Sequence, residues 1–198
     1  MATTRKRSHQ TDTDMPRDSV HIEPQGPLET ARHYVRELIY GANDGIITTF
    51  AVVAGVAGGG LSLRVVLIIG AANLFADGLS MAAGNYLSIR SHESVLQTQD
   101  LPEQEAFPVR HAAATFLAFV LAGTMPLLPY MIPELPIDRL ILSLVLTFAG
   151  MFVVGASRAL IADVVWWKAG GEMLGLGALV AGLAYASGAV VSAFVGHF

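Results

Sequence analysis

Five stretches of roughly twenty mainly apolar residues follow one another between residues 38 and 196, joined by links that are mostly very short. In a hydrocarbon layer about 30 Å thick only the chain itself can satisfy backbone N–H and C=O groups, so each stretch is confined to a helix. The candidate spans are 38–60, 65–87, 112–131, 137–157 and 173–196. The third and fifth hold no charged residue, and the fourth carries Asp138 and Arg139 only at its entrance. Its pattern runs on as helix from Ala159 to Trp167, where Trp166, Trp167 and Lys168 make an interfacial anchor. With 53% hydrophobic and 14% charged residues in 198, the sequence predicts an all-α integral membrane protein with one five-helix domain over 38–198.

The first 37 residues have the opposite character. They hold six of the twelve Lys and Arg and six of the sixteen Asp and Glu, together with His9, His21 and His33. They contain no apolar run suited to a secretion signal, and their acidic residues argue against a transit peptide. Residues 1–37 therefore read as a solvated, disordered cytosolic tail. Charge counting orients the spans. The tail, the second link (Arg90, Arg110) and the fourth (Arg158, Lys168) carry ten Lys and Arg, against two on the alternate side, Arg64 and Arg139. The excess of basic residues marks the cytosol, which places the N-terminus there and the C-terminus outside or in a lumen. Arg5, Lys6 and Arg7 are too few to imply nucleic-acid binding, and they suit contact with anionic lipid instead. With no cysteine, disulfides and thiolate metal sites are excluded, and any metal must be held by oxygen, imidazole or thioether.

Inside this apolar frame the second span carries Asn73, Asp77, Met81 and Asn85 at successive steps of four. On a helix these share one drifting face. A carboxylate at mid-bilayer costs about 2.5–3.5 kcal/mol on insertion scales, so Asp77 implies a use. The first span brings Asn43 and Asp44. If the first two spans form an antiparallel hairpin across their four-residue link, Asp44 and Met81 lie at similar depth, roughly 9 Å inside by helical rise. Oxygen donors with a thioether suit a divalent transition ion better than Na⁺ or Ca²⁺, with Fe²⁺ or Mn²⁺ at the borderline. A carboxyl in low dielectric favours its protonated form, so Asp44 or Asp77 can exchange a proton for the metal. The candidate metal residues are thus Asp44, Asp77, Met81, Asn43, Asn73 and Asn85.

Each has a plainer reading. Asn43 and Asp44 serve equally as caps of a shorter first helix, Met81 as packing, and Asn73 and Asn85 as hydrogen-bonding partners between helices. In the second link, His92, Glu93, Asp100, Glu103 and Glu105 read as a solvated loop before they read as a metal-collecting patch, and a flexible loop of that length predicts little contribution from Glu93, Glu103 and Glu105. No histidine falls inside a predicted span. Small residues recur every four positions at Gly41 and Gly45, at Gly55 and Gly59, and at Ala184, Gly188, Ser192 and Gly196. Such stripes let backbones approach, either within one chain or across a homodimer seam.

The segment Leu38-Ile-Tyr-Gly-Ala-Asn-Asp-Gly-Ile-Ile-Thr-Thr-Phe50 resembles the first-helix signature of the vacuolar iron transporter family, and Ala76-Asp-Gly-Leu-Ser-Met-Ala-Ala-Gly-Asn-Tyr-Leu-Ser88 resembles its second. Weaker similarity runs through Met125-Pro-Leu-Leu-Pro-Tyr130 and the fifth span. The resemblance implies a dimeric five-helix exporter of Fe²⁺, often also of Mn²⁺, from the cytosol in exchange for protons. It also implies that Asp44 and Met81 line the route. A prokaryotic source would place it in the cytoplasmic membrane and a eukaryotic one in the vacuolar membrane. Two departures stand out: the long glutamate-rich insertion between the second and third helices is missing, and Asn85 occupies a position that is commonly acidic. No nucleophile with its base is present, and no tightly bound cofactor is expected. The alternative is a non-transporting membrane scaffold whose polar stripe only packs helices.

Overall fold

A computed structural model describes residues 19–160 and 164–195, apart from the side chain of Leu160. The helices are α1 (Pro27–His33), α2 (Val35–Gly58), α3 (Leu63–Thr98), α4 (Pro108–Gly123), α5 (Leu128–Met131), α6 (Arg139–Ser157) and α7 (Trp166–Val195). Five segments are long and apolar enough to cross a membrane: α2, α3, Pro108–Met131, α6 and α7. Pro126 and Pro129 interrupt the third, which turns through a short 3-10 segment, Met125–Leu127, before α5. There the Ser143 hydroxyl donates to the Pro126 carbonyl at 2.7 Å, tying the break to α6.

The helix ends explain where apolarity misplaces the boundaries. α2 ends in a turn in which Gly60 takes φ +66°, while Gly60 and Leu61 N–H donate back to Ala57 and Val56. Only glycine adopts that φ without strain. α3 outlasts the predicted second span, continuing from Ser88 to Thr98, because no Gly or Pro intervenes and helical order does not need an apolar environment. At about 1.5 Å per residue its 36 residues are longer than a bilayer core. A similar turn closes it, with Asp100 at φ 55° and Leu101 N–H bonded to Leu96. The expected link over 89–111 shrinks to 99–107. The Asp138 side chain caps α6, accepting from Leu140 and Ile141 N–H at 2.9 and 3.0 Å. The helix predicted to run from Ala159 to Trp167 is instead broken after a 3-10 turn, with 161–163 outside the described residues. The two tryptophans open α7 rather than closing α6.

α2 is the central helix, packed against α4, α7, α6 and α3. α4 packs more extensively on both α2 and α3 than those two do on each other, so the anticipated hairpin is partly splayed by α4. Gly41 and Gly45 make this possible: a Cβ on Gly41 would stand 2.6 Å from the Thr115 carbonyl, and one on Gly45 would collide with the Phe119 backbone. Gly188 of α7 likewise meets the Gly55 backbone, and Gly59 faces Gly188. The glycine stripes are therefore used within the chain; Gly196 lies outside the described residues. Phe50, Val53, Leu74, Phe119 and Leu127 form one buried cluster, and Ile46, Met151 and Met173 another.

The links alternate between two ends. Val20 N–H bonds to Glu103, and Arg36 and Arg158 line one cavity, which gathers the N-terminal segment, residues 99–107 and the start of α7 at a basic end. Leu61 shares cavities with Asp138 and Arg139 and with Val195 at the other. Residues 1–18 of the predicted tail lie outside the described residues, while from Ser19 onward the chain lies against the 99–107 link and forms α1.

Candidate functional site

Asn43 and Asp44 sit well inside α2, more than two turns beyond Val35, so they do not cap it. The plainer reading of these two residues is overturned because the helix starts at Val35 and runs through the polar Arg36 and Glu37 before the apolar edge. Asp44 is half-buried, its carbonyl accepting from the Thr48 hydroxyl at 2.8 Å. On α3, Asp77 is also half-buried, and the two carboxylates stand near enough for their charges to interact. In low dielectric two facing carboxylates repel strongly unless a cation or a proton lies between them.

The α3 stripe has a defined setting. Val66, Gly70, Leu74, Gly78 and Ala82 are buried, and Phe116 and Phe119 of α4 close on Gly78. Asn73, Asp77, Met81 and Asn85 run alongside this seam, each half-buried. Met81 packs against the cluster of Phe50 and Phe119. Asn85 reaches α4, its amide donating to the Thr115 hydroxyl at 2.9 Å, while Thr115 donates to the His111 carbonyl at 3.0 Å. Asp44 and Asp77 are thus within electrostatic reach of each other, and Met81 lies one turn from Asp77. Asn43 faces elsewhere: it lines a cavity of about 450 Å³ with Arg36, Tyr40, Arg158 and Met173, and its buried Oδ1 has no hydrogen-bond partner among the described residues.

Sequence reasoning passed over Glu37. It is buried, accepts from the Arg36 guanidinium at 2.8 Å, and lines a cavity of about 300 Å³ with Tyr40, Asn85 and Thr115. A carboxylate in the first turn before an apolar run was the available signal. Beside it, burial first, then the Glu105 and Glu37 carboxylates, push the Tyr34 phenol above its usual 10.

The VIT family matches residues 35–107 and 94–189, which run from the start of α2 into α7 and include Asp44 and Asp77. The chain belongs to the VIT family. Among the proteins similar to this VIT-family chain, "Vacuolar iron transporter 1" of Arabidopsis thaliana is 26% identical over 186 residues, covering 65% of this chain and 74% of the relative. "Vacuolar iron transporter 1" of Eucalyptus grandis is 23% identical over 213 residues, covering 79% and 86%. "Vacuolar iron transporter" of Toxoplasma gondii is 34% identical over 91 residues, covering 46% of this chain but 30% of that protein. The plant alignments are longer than the part of this chain they use, so those relatives carry residues with no counterpart here. With five apolar spanning helices and this membership, the chain is an integral membrane protein.

Proposed function

We propose that this protein transports Fe²⁺, and Mn²⁺ as a second substrate, out of the cytosol in exchange for protons. The observation that carries the reading is a pair of half-buried carboxylates, Asp44 and Asp77, within electrostatic reach of each other on two spans of the family-matched region. A divalent ion relieves their repulsion, and protons do the same once the ion has left, so the two occupancies alternate. Met81 adds a thioether that suits Fe²⁺ better than Ca²⁺ or Mg²⁺. The names of the relatives support iron as cargo. The basic end, with Arg32, Arg36, Arg90, Arg110, Arg158 and Lys168, is the cytosolic face, which puts the C-terminus outside or in a lumen.

The working unit in this reading is a homodimer. Ala72, Ala76, Ser80 and Gly84 form an exposed stripe of small residues on α3, flanking Asp77, and a Cβ on Gly84 would meet nothing within 4 Å. A second copy there would shield Asp77 from lipid. The membrane is the cytoplasmic one in a prokaryote and the vacuolar one in a eukaryote. No chemical step beyond ion and proton exchange is needed, so the protein acts as a transporter rather than an enzyme.

Uptake of Fe²⁺, Mn²⁺, Co²⁺ and Zn²⁺ into proteoliposomes, with and without an imposed pH gradient, tests this. Fe²⁺ and Mn²⁺ flux that rises with the gradient supports it. Folded protein without metal flux would favour the scaffold reading.

A further inference from the structure

Three imidazoles and a carboxylate from separate parts of the chain converge at the basic end: His21, His33 and Glu105 outside the apolar spans, and His111 in the first turn of α4. Glu105 Oε2 lies 2.9 Å from His111 Nε2, 3.7 Å from His21 Nδ1 and 3.9 Å from His33 Nε2. Ligand atoms of His21, His33 and Glu105 all fall within 4.8 Å of one another. The cluster is enclosed: the His111 side chain is 2% exposed and that of His21 7%. Despite these approaches, Glu105 Oε2, His33 Nε2 and both His111 ring nitrogens are buried without an aligned hydrogen bond among the described residues. Ligand atoms about 2.1 Å from one ion lie roughly 3.4 Å apart in a tetrahedron, so the 3.7 and 3.9 Å from Glu105 to His21 and His33 need only a small side-chain closure to meet one ion.

The surroundings orient the donors. His21 Nε2 lies 3.0 Å from Glu23, leaving Nδ1 turned to Glu105, and His111 Nδ1 lies 3.2 Å from Glu37, leaving Nε2 turned the same way. The Glu23 carboxylate behind His21 orients that ring with Nδ1 towards Glu105. Glu93 holds the link in place by accepting from the Gln104 and Glu105 N–H groups at 3.1 and 2.9 Å.

We propose that His21, His33 and Glu105 bind one divalent first-row transition ion, with His111 beside Glu105 at 2.9 Å. Nitrogen-rich borderline donors select Zn²⁺, Co²⁺, Fe²⁺ or Mn²⁺ over Ca²⁺ and Mg²⁺. The site is separate from Asp44 and Asp77 and does not depend on transport through the spans.

The test uses the full-length chain, untagged and purified in detergent, with Co²⁺ as the probe because its d–d absorption reports imidazole ligation. The unaltered protein should give a visible band that equimolar Ca²⁺ or Mg²⁺ does not displace. His21→Gln and Glu105→Gln should each weaken Co²⁺ more than about tenfold, and His21→Gln with His33→Gln should abolish the band. These residues lie outside the spans, so helical circular dichroism should be retained, and Glu103→Gln in the same link should leave affinity unchanged. No band in the unaltered protein, a band that survives the paired histidine replacement, or displacement by Ca²⁺ or Mg²⁺ would overturn the proposal. Co²⁺ binding without metal flux would refute the transport reading and leave this site standing, and flux without the band would do the reverse.

Discussion

The intramembrane stripe and the histidine cluster both bring carboxylates to cation-binding positions, yet they are written into the chain in opposite ways. Asn73, Asp77, Met81 and Asn85 come from one helix at a fixed spacing, and Asp44 is added by its packing partner. The cluster is assembled from residues 21 and 33, 105 and 111, brought together by the fold around 99–107. A charge in hydrocarbon costs about 2.5–3.5 kcal/mol on insertion scales, so a single Asp there carries information. A His or Glu in a watery segment costs almost nothing to place, so the same residue types there carry none until the fold collects them. The solvent around a residue decides how much its identity reveals.

The largest expected effect lies in the stripe. Replacing a carboxylate in low dielectric removes a negative charge that the cation needs, where the attraction is strongest. Asp44→Asn should therefore abolish measurable flux per folded protein, and Asp77→Asn should lower flux and weaken its response to a pH gradient. Proteoliposome flux normalised to monodisperse protein checks both. Under the same conditions, at saturating metal, Glu105→Gln should change flux by no more than about twofold, because it sits outside the spans. The reverse pattern, with Glu105 indispensable and Asp44 dispensable, would break the contrast between the two regions.

Met81→Leu ranks next. It preserves volume and apolarity, so folding should change by less than about 1.5 kcal/mol, but it deletes the sulfur that favours softer ions. Fe²⁺ flux should fall several-fold more than Mn²⁺ flux. Equal losses for both ions, tracking a drop in folded yield, would make Met81 a packing residue in the Phe50 and Phe119 cluster.

Much of the fold was legible because the bilayer leaves few options. Five spans, their alternation and the polar stripe all follow from where apolar runs begin and end. Three things did not follow. Apolarity marks the membrane and not the helix, so the Ser88–Thr98 extension of α3 and the α7 start at Trp166 were hidden. The depth of Asp44 within its helix was hidden too, since Arg36 and Glu37 begin α2 before the apolar edge. Non-local order in the link was the third. Glu93, Val20 and Glu103 fix residues 99–107 through contacts that no periodicity encodes, and that invalidates the premise that Glu105 sits in a flexible loop. The topology count already placed residues 21, 33, 105 and 111 on one face, which is the signal by which the cluster could have been found.

That fixed link gives a smaller test. Glu93→Ala removes an acceptor for two backbone N–H groups, each such charged hydrogen bond being worth about 1.5–3 kcal/mol at most. The loss should appear as faster amide exchange confined to residues 99–107 and as weaker Co²⁺ binding, with flux through the spans unchanged. Unchanged exchange in the link would mean that the Ser19 to Glu103 contact alone orders it.

The smallest expected effect sharpens the boundary between the two regions, because Asn85 lies between them. Its amide donates to the Thr115 hydroxyl, which is committed to the His111 carbonyl, and both residues line the cavity that holds Glu37. A hydrogen bond between spanning helices averages about 0.6 kcal/mol in double-mutant cycles. Asn85→Ala, Thr115→Val and the double variant should therefore show a coupling of about that size in unfolding measurements, while flux stays within roughly twofold of the unaltered protein. Asn85→Asp gives the opposite probe. It replaces the donor with a carboxylate beside Glu37 and a Thr115 hydroxyl already spent on His111, so it should destabilise α3 against α4 more than Asn85→Ala does, by about 1–3 kcal/mol for an unsatisfied charged acceptor. If Asn85→Asp instead raises metal flux with stability intact, the residue belongs to the mouth of the route, and the stripe and the histidine cluster are two ends of one path.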